Sequence, residues 1–216
     1  MDVILGYLSS YGYILVVFAI SFVATKVGLV KEEGARKIIH ILVCFTWIIM
    51  EKTFNNRIHA VVIPVTFVFI NLLAMKKQMI PGMYREKNDT YGTVFYAISL
   101  AVMNLIAFFN DSFILPAGIA IFALSFGDGF AAIIGGIEHE CNKTIKHGKS
   151  IFGTTACLIF SFIGVWLICF LLKANISIAW IIVLAFISTV LEFIGGKYDN
   201  LLIPFGVFAV SYIITL

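Results

Sequence analysis

The sequence predicts an all-α membrane protein, a polytopic helix bundle with about eight (seven or eight) transmembrane helices. Hydrophobic residues make up 61% of the 216 residues and charged residues only 12%, and the mean hydropathy is +1.04. These values lie far outside the range of soluble domains. The apolar runs are continuous rather than alternating, which argues against a transmembrane β-barrel. Because lipid cannot satisfy backbone polar groups, we expect each run to be helical.

Eight apolar runs are long enough to cross or enter a bilayer, where a full span takes about 20 helical residues. The second and the last are short, so six or seven full spans with re-entrant pieces also fit the pattern. No soluble domain or long linker separates the runs, and we expect one membrane-embedded domain over 1–216. The runs cover approximately 3–25, 36–50, 58–75, 91–109, 112–137, 150–172, 176–194 and 201–216.

The basic residues predict which side of the membrane each loop faces. With eight spans, twelve Lys and Arg residues fall in one set of loops and three in the other. By the positive-inside rule the basic set is cytoplasmic, so both termini are expected outside. The cytoplasmic set is Lys26, Lys31, Arg36, Lys37, Lys76, Lys77, Arg85, Lys87, Lys143, Lys146, Lys149 and Lys197, and the outer set is Lys52, Arg57 and Lys173.

One carboxylate, Asp128, interrupts the fifth apolar run, in the sequence LSFGDGFAA at 124–132. A charge at membrane depth is costly unless it is paired, hydrated or bound to a cation, so it marks a candidate functional site. The flanking glycines would let backbone or ligand approach closely. The alternative is a structural polar group satisfied by a neighbouring helix. Asp128 lies about nine residues inside its run, roughly 14 Å from the cytoplasmic end.

Basic residues open the second run, at Arg36, Lys37 and His40. Arg36 and His40 are four residues apart and share a helix face. An arginine can hold phosphate oxygens with a fork of donors, whereas a lysine acts as a point charge. The alternative is that these side chains snorkel from a helix end. At the fourth run, Tyr91-Gly92-Thr93 is a weaker signal, typical of a capped helix start.

A loop rich in basic and hydroxyl side chains precedes the sixth run, at 143–150. Such donors, with glycines before a helix, can surround phosphates. The spacing is not that of a P-loop. The small residues before the loop, at 131, 132, 135 and 136, are expected to pack helices together. The predicted nucleotide-binding residues here are Lys146, Lys149, Ser150, Gly153 and Thr154.

Acidic residues also flank the last two runs. Glu192 lies near the predicted cytoplasmic end of the seventh run, and Asp199 and Asn200 precede the eighth. Asp199 and Asn200 either cap that helix or belong to a site. Mg²⁺ favours carboxylates, phosphates and water. We therefore predict that Asp128 and Glu192 share a magnesium ion.

Taken in order, these motifs resemble the CTP-dependent polyprenol kinase family: dolichol kinase, phytol kinase and the CTP-dependent diacylglycerol kinases. The resemblance extends from 36 to 204. Many members carry an acidic residue where this chain has Phe152. The motifs are R-K-x-x-H at 36–40, Y-G-T at 91–93, G-D at 127–128, K-S-x-x-G-T at 149–154 and E-x(6)-D-N-L-x-x-P at 192–204.

The resemblance implies a membrane enzyme that transfers the terminal phosphate of CTP, with Mg²⁺, to the hydroxyl of a lipid alcohol. That acceptor would be a polyprenol, a phytol-like alcohol or diacylglycerol, and no nucleic acid partner is expected. Arg36, Lys37, Lys149 and Lys146, with Asn200 and helix N-terminal amides, would bind the nucleotide. Glu192 or Asp199 would help Asp128 to hold the magnesium ion. Asp128 or His40 would orient or deprotonate the hydroxyl, since positioning and electrostatics supply most of the catalysis in phosphoryl transfer.

Two other functions stay open at this point. A phosphatidate cytidylyltransferase-like enzyme would also bring CTP, Mg²⁺ and a membrane lipid together, but would make a CDP-lipid and release pyrophosphate. A small cation- or proton-coupled transporter would use Asp128 and Glu192 as ion sites. Against a transporter, the polar residues cluster on one predicted face instead of following a path through the membrane.

Overall fold

The structure, a computed structural model, describes residues 3–56, 58–77, 91–145 and 148–216, without the side chains of residues 76 and 77. In these ranges the chain is helical, with no β-strand beyond one isolated bridge between Thr144 and Ser150. The all-α prediction is confirmed. The sequence predictions for Arg57, Arg85, Lys87 and Lys146 concern residues outside these ranges.

The helices follow the apolar runs of the sequence. Six stretches of the described residues are long and apolar enough to cross a membrane, and the last of them, Ile178–Thr215, contains two helices. A multi-pass membrane bundle follows from this. The helices are α1 Val3–Lys26, α2 Glu32–Val43, α3 Thr46–Thr53, α4 Ile58–Lys77, α5 Gly92–Phe109, α6 Ile114–Gly135, α7 Ile151–Leu171, α8 Ile178–Gly195 and α9 Asp199–Thr215, with 3₁₀ turns at Asp111–Phe113 and Gly196–Tyr198.

The second apolar run, predicted as one helix over 36–50, is instead divided between α2 and α3. At the division the backbone changes to i→i+3 hydrogen bonds, such as that from the Trp47 amide to the Cys44 carbonyl at 3.0 Å. The Cys44 thiol and the Thr46 hydroxyl also bond to carbonyls of the preceding turn, at 3.0 and 2.7 Å. Such side-chain bonds compete with the helical ladder. Seven long helices remain in the described part, within the predicted seven or eight.

The first of two compact units, Met1–Phe108, is built around α1. This helix packs on α2, α3 and α4. Its core includes Ile14, Met50, Phe54 and Ile63. Hydroxyls on α1 bond outward to the neighbouring helices, as in the 3.0 Å bond from the Tyr13 hydroxyl to a carbonyl of α2. In lipid such bonds hold helices together where hydrophobic burial alone gives little driving force.

The second unit, Phe109–Leu216, has α6 at its centre. Within its most apolar window α6 is 78% buried, compared with 39% for α7, and it packs against α7, α8 and α9. Small residues allow this contact, as predicted for Gly135. A Cβ on Gly135 would lie 3.2 Å from the Cα of Gly153 on α7, and one on Gly127 would collide with Ser161. The close approach of α6 and α7 matters because Asp128 lies beside Gly127.

The single domain predicted for 1–216 stays a prediction.

Candidate metal centre and phosphate site

Three buried carboxylates meet in the second unit: Asp128, Glu192 and Asp199. Their exposed fractions are 4%, 2% and 8%, and one oxygen from each lies within 4.8 Å of the others. Like charges at this distance in a dry environment repel strongly unless a cation compensates them. The cluster therefore needs a positive partner.

The chain brings these carboxylates together from three helices. Asp128 lies two turns before the end of α6, whereas Glu192 is in the last turn of α8 and Asp199 is the first residue of α9. Between α8 and α9 the backbone turns at Gly196, with φ +52° and ψ −116°. Only glycine adopts such torsions without strain. The turn folds the first residue of α9 back toward the last turn of α8.

Lys149 supplies a positive charge to the cluster. Its ammonium contacts Glu192 Oε1 and donates a hydrogen bond to Asp199 Oδ2 at 2.9 Å, while 18% of the side chain stays exposed. Burial alone would lower the pKa of this ammonium, but the carboxylates of Asp199, Glu192 and Asp128 outweigh burial and raise its pKa above the ordinary value. Lys149 is therefore fully charged at neutral pH.

The loop before α7 fixes the position of Lys149. The Lys149 carbonyl accepts a 2.8 Å hydrogen bond from the Ile145 amide. Asn142 joins the two ends of the loop, since its amide group donates to the carbonyls of Gly135 and Ile137 at 3.0 and 2.7 Å and its oxygen accepts from the Phe152 amide at 3.1 Å. Sequence analysis missed Asn142, because one asparagine in a polar loop carries no signal of its own.

Ser150 is the N-cap of α7, and its hydroxyl is fully engaged there. It accepts from the Gly153 amide and donates to the Gly135 carbonyl, both at 3.2 Å. The neighbouring amides of Ile151 and Thr154 bond to carbonyls at 3.0 and 2.9 Å, and that of Phe152 bonds to Asn142. The first-turn amides of α7 are thus paired within the protein. Donors for a phosphate at this helix would have to come from side chains.

A magnesium ion fits the donor set of the cluster. Carboxylate oxygens are the ligands that Mg²⁺ prefers. The second oxygen of Glu192, Oε2, is buried and has no hydrogen-bond partner among the described residues. Lys149 contributes one positive charge to a group of three carboxylates. On the first turn of α7, the buried Thr154 hydroxyl likewise has no partner in the described part of the chain.

The structure thus brings together Asp128, Glu192, Asp199 and Lys149, four of the residues singled out from the sequence. Asn200 is buried beside them, and its amide bonds to Asp199 Oδ1 at 2.8 Å. The N-cap of α9 is Tyr198, without a side-chain cap, so Asp199 pairs with Lys149 instead of capping the helix. The metal and nucleotide roles of these residues stay predictions.

The predicted residues Arg36, Lys37 and His40 belong to the first unit, on α2. Arg36 binds both oxygens of Glu33 at 2.7 Å, one turn earlier on the same helix. The His40 ring packs on the Tyr96 ring with centroids 3.7 Å apart, and the Tyr96 hydroxyl donates to the His40 carbonyl at 2.7 Å. Their predicted roles toward the triphosphate and the lipid hydroxyl stay predictions.

Phe152 occupies the position where many members of the resembled family are acidic. Its ring stacks on His139, with centroids 5.8 Å apart and 28° between the planes. The site is acidic without it, because three carboxylates come from α6, α8 and α9. Phe152 instead holds the loop against the start of α7.

Comparison with known proteins agrees with the motifs. The chain is 26% identical over 218 residues to the probable phytol kinase, chloroplastic, of Triticum aestivum, an alignment that covers 88% of this chain and 70% of the relative. It is 25% identical over 197 residues to the phytol kinase of Synechocystis sp., covering 84% of this chain and 79% of the relative. No family model and no solved structure matches the chain. The similarity extends over most of the chain and supports the resemblance to the polyprenol kinase family predicted from the motifs, through two relatives that are named phytol kinases.

Proposed function

We propose that this chain is a membrane kinase that transfers the terminal phosphate of CTP, with Mg²⁺, to the hydroxyl of a lipid alcohol. Two relatives that align over most of the chain are named phytol kinases. The observation that carries the proposal is the group of Asp128, Glu192 and Asp199, buried within or at the ends of membrane helices, in which Glu192 Oε2 has no partner among the residues that the structure describes. A soluble nucleotide and a lipid headgroup can meet at such a place.

In this proposal the three carboxylates hold the magnesium ion. When bound, the ion supplies positive charge that offsets the charge of the phosphate oxygens. Lys149 lies next to the carboxylates, so its ammonium is within the same site and can bind phosphate oxygens as a point charge. The Thr154 hydroxyl offers a neutral donor one turn into α7. These two side chains replace the α7 backbone amides, which are already paired.

Asp128 is the carboxylate that we assign to the lipid hydroxyl. It lies seven residues before the end of α6, roughly 10 Å along the helix. Within its own helix Asp128 is thus further from the end than Glu192 and Asp199 are, although one oxygen of each of the three residues lies within 4.8 Å of the others. The hydroxyl oxygen of the lipid attacks the terminal phosphorus of CTP, the bond from that phosphorus to the bridging oxygen breaks, and CDP leaves. Asp128 accepts the hydroxyl proton or a hydrogen bond from it. No strong base is required, because positioning supplies most of the rate in phosphoryl transfer.

The proposed orientation places this site on the cytoplasmic side and both termini outside. Eight crossings are needed for that topology, whereas the described part of the chain has seven long helices. For this topology, α2 and α3 together would have to form a single crossing of the membrane. Together they cover 22 residues, from 32 to 53, which extend about 33 Å if helical throughout. That length is sufficient for one crossing.

The experiment that tests the function uses purified protein in detergent with phytol and Mg²⁺. Each of the four nucleoside triphosphates is added in turn, and lipid and nucleotide products are identified by mass spectrometry. We expect phytyl phosphate and CDP with CTP, and no product after chelation of Mg²⁺. Polyprenols and diacylglycerol in place of phytol then identify the acceptor. A CDP-lipid with pyrophosphate would instead indicate a cytidylyltransferase, and no nucleotide turnover with any acceptor would contradict the kinase assignment.

A further inference from the structure

Lys149 occupies the side of the carboxylate cluster formed by Glu192 and Asp199. Its ammonium contacts Glu192 Oε1 and Asp199 Oδ2, so it neutralises two of the three carboxylates that would coordinate a magnesium ion, while Glu192 Oε2 has no partner among the described residues. An ammonium and a divalent cation held by the same carboxylates repel each other strongly in a buried site. Movement of the ammonium away from the carboxylates would relieve this repulsion.

We propose that Lys149 is a displaceable internal counter-ion, which leaves the carboxylates when a divalent cation binds and then pairs with the phosphates of the nucleotide. This inference rests on the metal site of the proposed function. Without a cation, Lys149 offsets buried carboxylate charge that would otherwise be costly. With a cation in place, the ammonium is repelled and needs a new anionic partner, which a polyphosphate supplies.

The surroundings of Lys149 allow its side chain to move while the backbone stays fixed. Its carbonyl is held by the Ile145 amide at 2.8 Å, and the next residue, Ser150, caps α7. The side chain is 18% exposed, whereas that of Glu192 is 2% exposed, so the side chain of Lys149 retains contact with solvent. Rotation of a flexible four-carbon side chain is sufficient for the exchange.

A coupling between the two ligands follows. The cation must displace Lys149, which lowers the affinity of the site for the cation. A polyphosphate reduces this loss of affinity, because it forms an ion pair with the displaced ammonium. Each ligand therefore raises the affinity for the other, and by linkage the two effects are equal. Direct contacts between cation and phosphate add to this coupling in any kinase, so the part due to Lys149 is the difference between the wild-type chain and a variant without the ammonium.

The test measures Mn²⁺ binding to the full chain in detergent by electron paramagnetic resonance, with and without inorganic tripolyphosphate and without lipid. The variants are Lys149→Met, which removes the ammonium, and Lys149→Arg, whose planar fork of donors can hold two carboxylates more firmly. The matched control is Lys143→Met, which removes an exposed positive charge from the same loop. Circular dichroism and size-exclusion chromatography verify that each variant is folded.

Without tripolyphosphate we expect Lys149→Met to bind Mn²⁺ on the order of tenfold more tightly than wild type, since a competing charge is gone. Lys149→Arg should bind it more weakly, and Lys143→Met as wild type does. Tripolyphosphate should tighten Mn²⁺ binding less in Lys149→Met than in wild type. Weaker or unchanged Mn²⁺ binding by Lys149→Met overturns the displacement, and an equal effect of tripolyphosphate on both proteins overturns the transfer to phosphate.

If Lys149→Met does not fold, the Lys149→Arg variant carries the test, and Mn²⁺ binding as tight as that of wild type overturns the proposal. Absence of Mn²⁺ binding by the wild-type chain also overturns it. Failure of the kinase assignment can be distinguished from failure of this proposal. In that case Mn²⁺ binding and its dependence on Lys149 would persist, but no lipid would be phosphorylated.

Discussion

Glu192 and Asp199 lie on successive helices, and the turn through Gly196 brings an oxygen of one within 4.8 Å of an oxygen of the other. The E-x(6)-D spacing of the sequence thus has a structural reason. The six intervening residues complete α8 and form the 3₁₀ turn, so that Asp199 is the first residue of α9. The acidic pair therefore depends on the backbone conformation between the two helices.

Changing the turn glycine should separate this pair. At φ +52°, Gly196→Ala strains the backbone by about 1–3 kcal/mol, although its new Cβ would meet no atom within 4 Å. We expect a lower unfolding temperature together with weaker Mn²⁺ binding. Gly28→Ala is the matched control, since Gly28 has φ +74° and equally open space but lies in the first unit. Loss of stability in both variants with Mn²⁺ binding unchanged in Gly196→Ala would contradict this role of the turn.

The cap of α7 should matter for activity as well as for stability. Ser150→Ala removes the hydroxyl that bonds to Gly153 and Gly135, which destabilises the fold by about 1 kcal/mol. Because Lys149 is the preceding residue, we also expect kinase activity to fall. Ser177→Ala removes the cap of α8, away from the carboxylates, and should cost similar stability with activity retained. Equal activity of the two variants, assayed well below their unfolding temperatures, would argue against the positioning role.

The packing around Gly127, next to Asp128, should not tolerate a larger side chain. Gly127→Ala places a methyl group against Ser161, Cys157 and Ser188, and overpacking of this kind typically costs about 1–3 kcal/mol. Gly12→Ala is the matched control in α1, because a Cβ there meets nothing within 4 Å. Thermal unfolding in detergent should show a drop for Gly127→Ala and no drop for Gly12→Ala. A drop of similar size in both would mean that contact with α7 and α8 is not the cause.

Asp128 should be essential for turnover. Asp128→Asn keeps the shape of the side chain and removes its charge, so we expect kcat to fall by about 100-fold or more, as when one transition-state contact is lost. Membrane insertion should be intact. Asp111→Asn is the control, since Asp111 is exposed in the 3₁₀ turn before α6 and should leave kcat unchanged. Retained turnover in purified Asp128→Asn would rule out the assigned role.

Most of the fold could be predicted from the sequence, because in a membrane chain the apolar runs are the helices. The start of α5 at Gly92 agrees with the Y-G-T motif. The division between α2 and α3 could not be predicted, since neither proline nor glycine marks it. It depends on i→i+3 bonds and on side chains such as Thr46 that bond to the preceding turn.

The acidic part of the site could also be predicted, because carboxylates inside or beside apolar runs are rare enough to be conspicuous. The position of Lys149 beside these carboxylates could not be predicted. Its residue type and loop predicted a phosphate ligand, but its contact with Asp199, fifty residues away in sequence, depends on how α6, α7 and α9 pack. The hydrogen bonds of the first α7 amides could not be predicted either. The Phe152 amide, for example, bonds to the side chain of Asn142, at the other end of the loop.

The central claim, transfer of the terminal phosphate of CTP to a lipid hydroxyl, is tested most directly by following the phosphorus atom. Purified protein is incubated with phytol, Mg²⁺ and CTP labelled either at the γ-phosphorus or at the α-phosphorus, and the lipid is extracted and counted. We predict that the γ label enters the lipid and the α label remains with CDP in water. Entry of the α label into the lipid, or of neither label, would contradict the account.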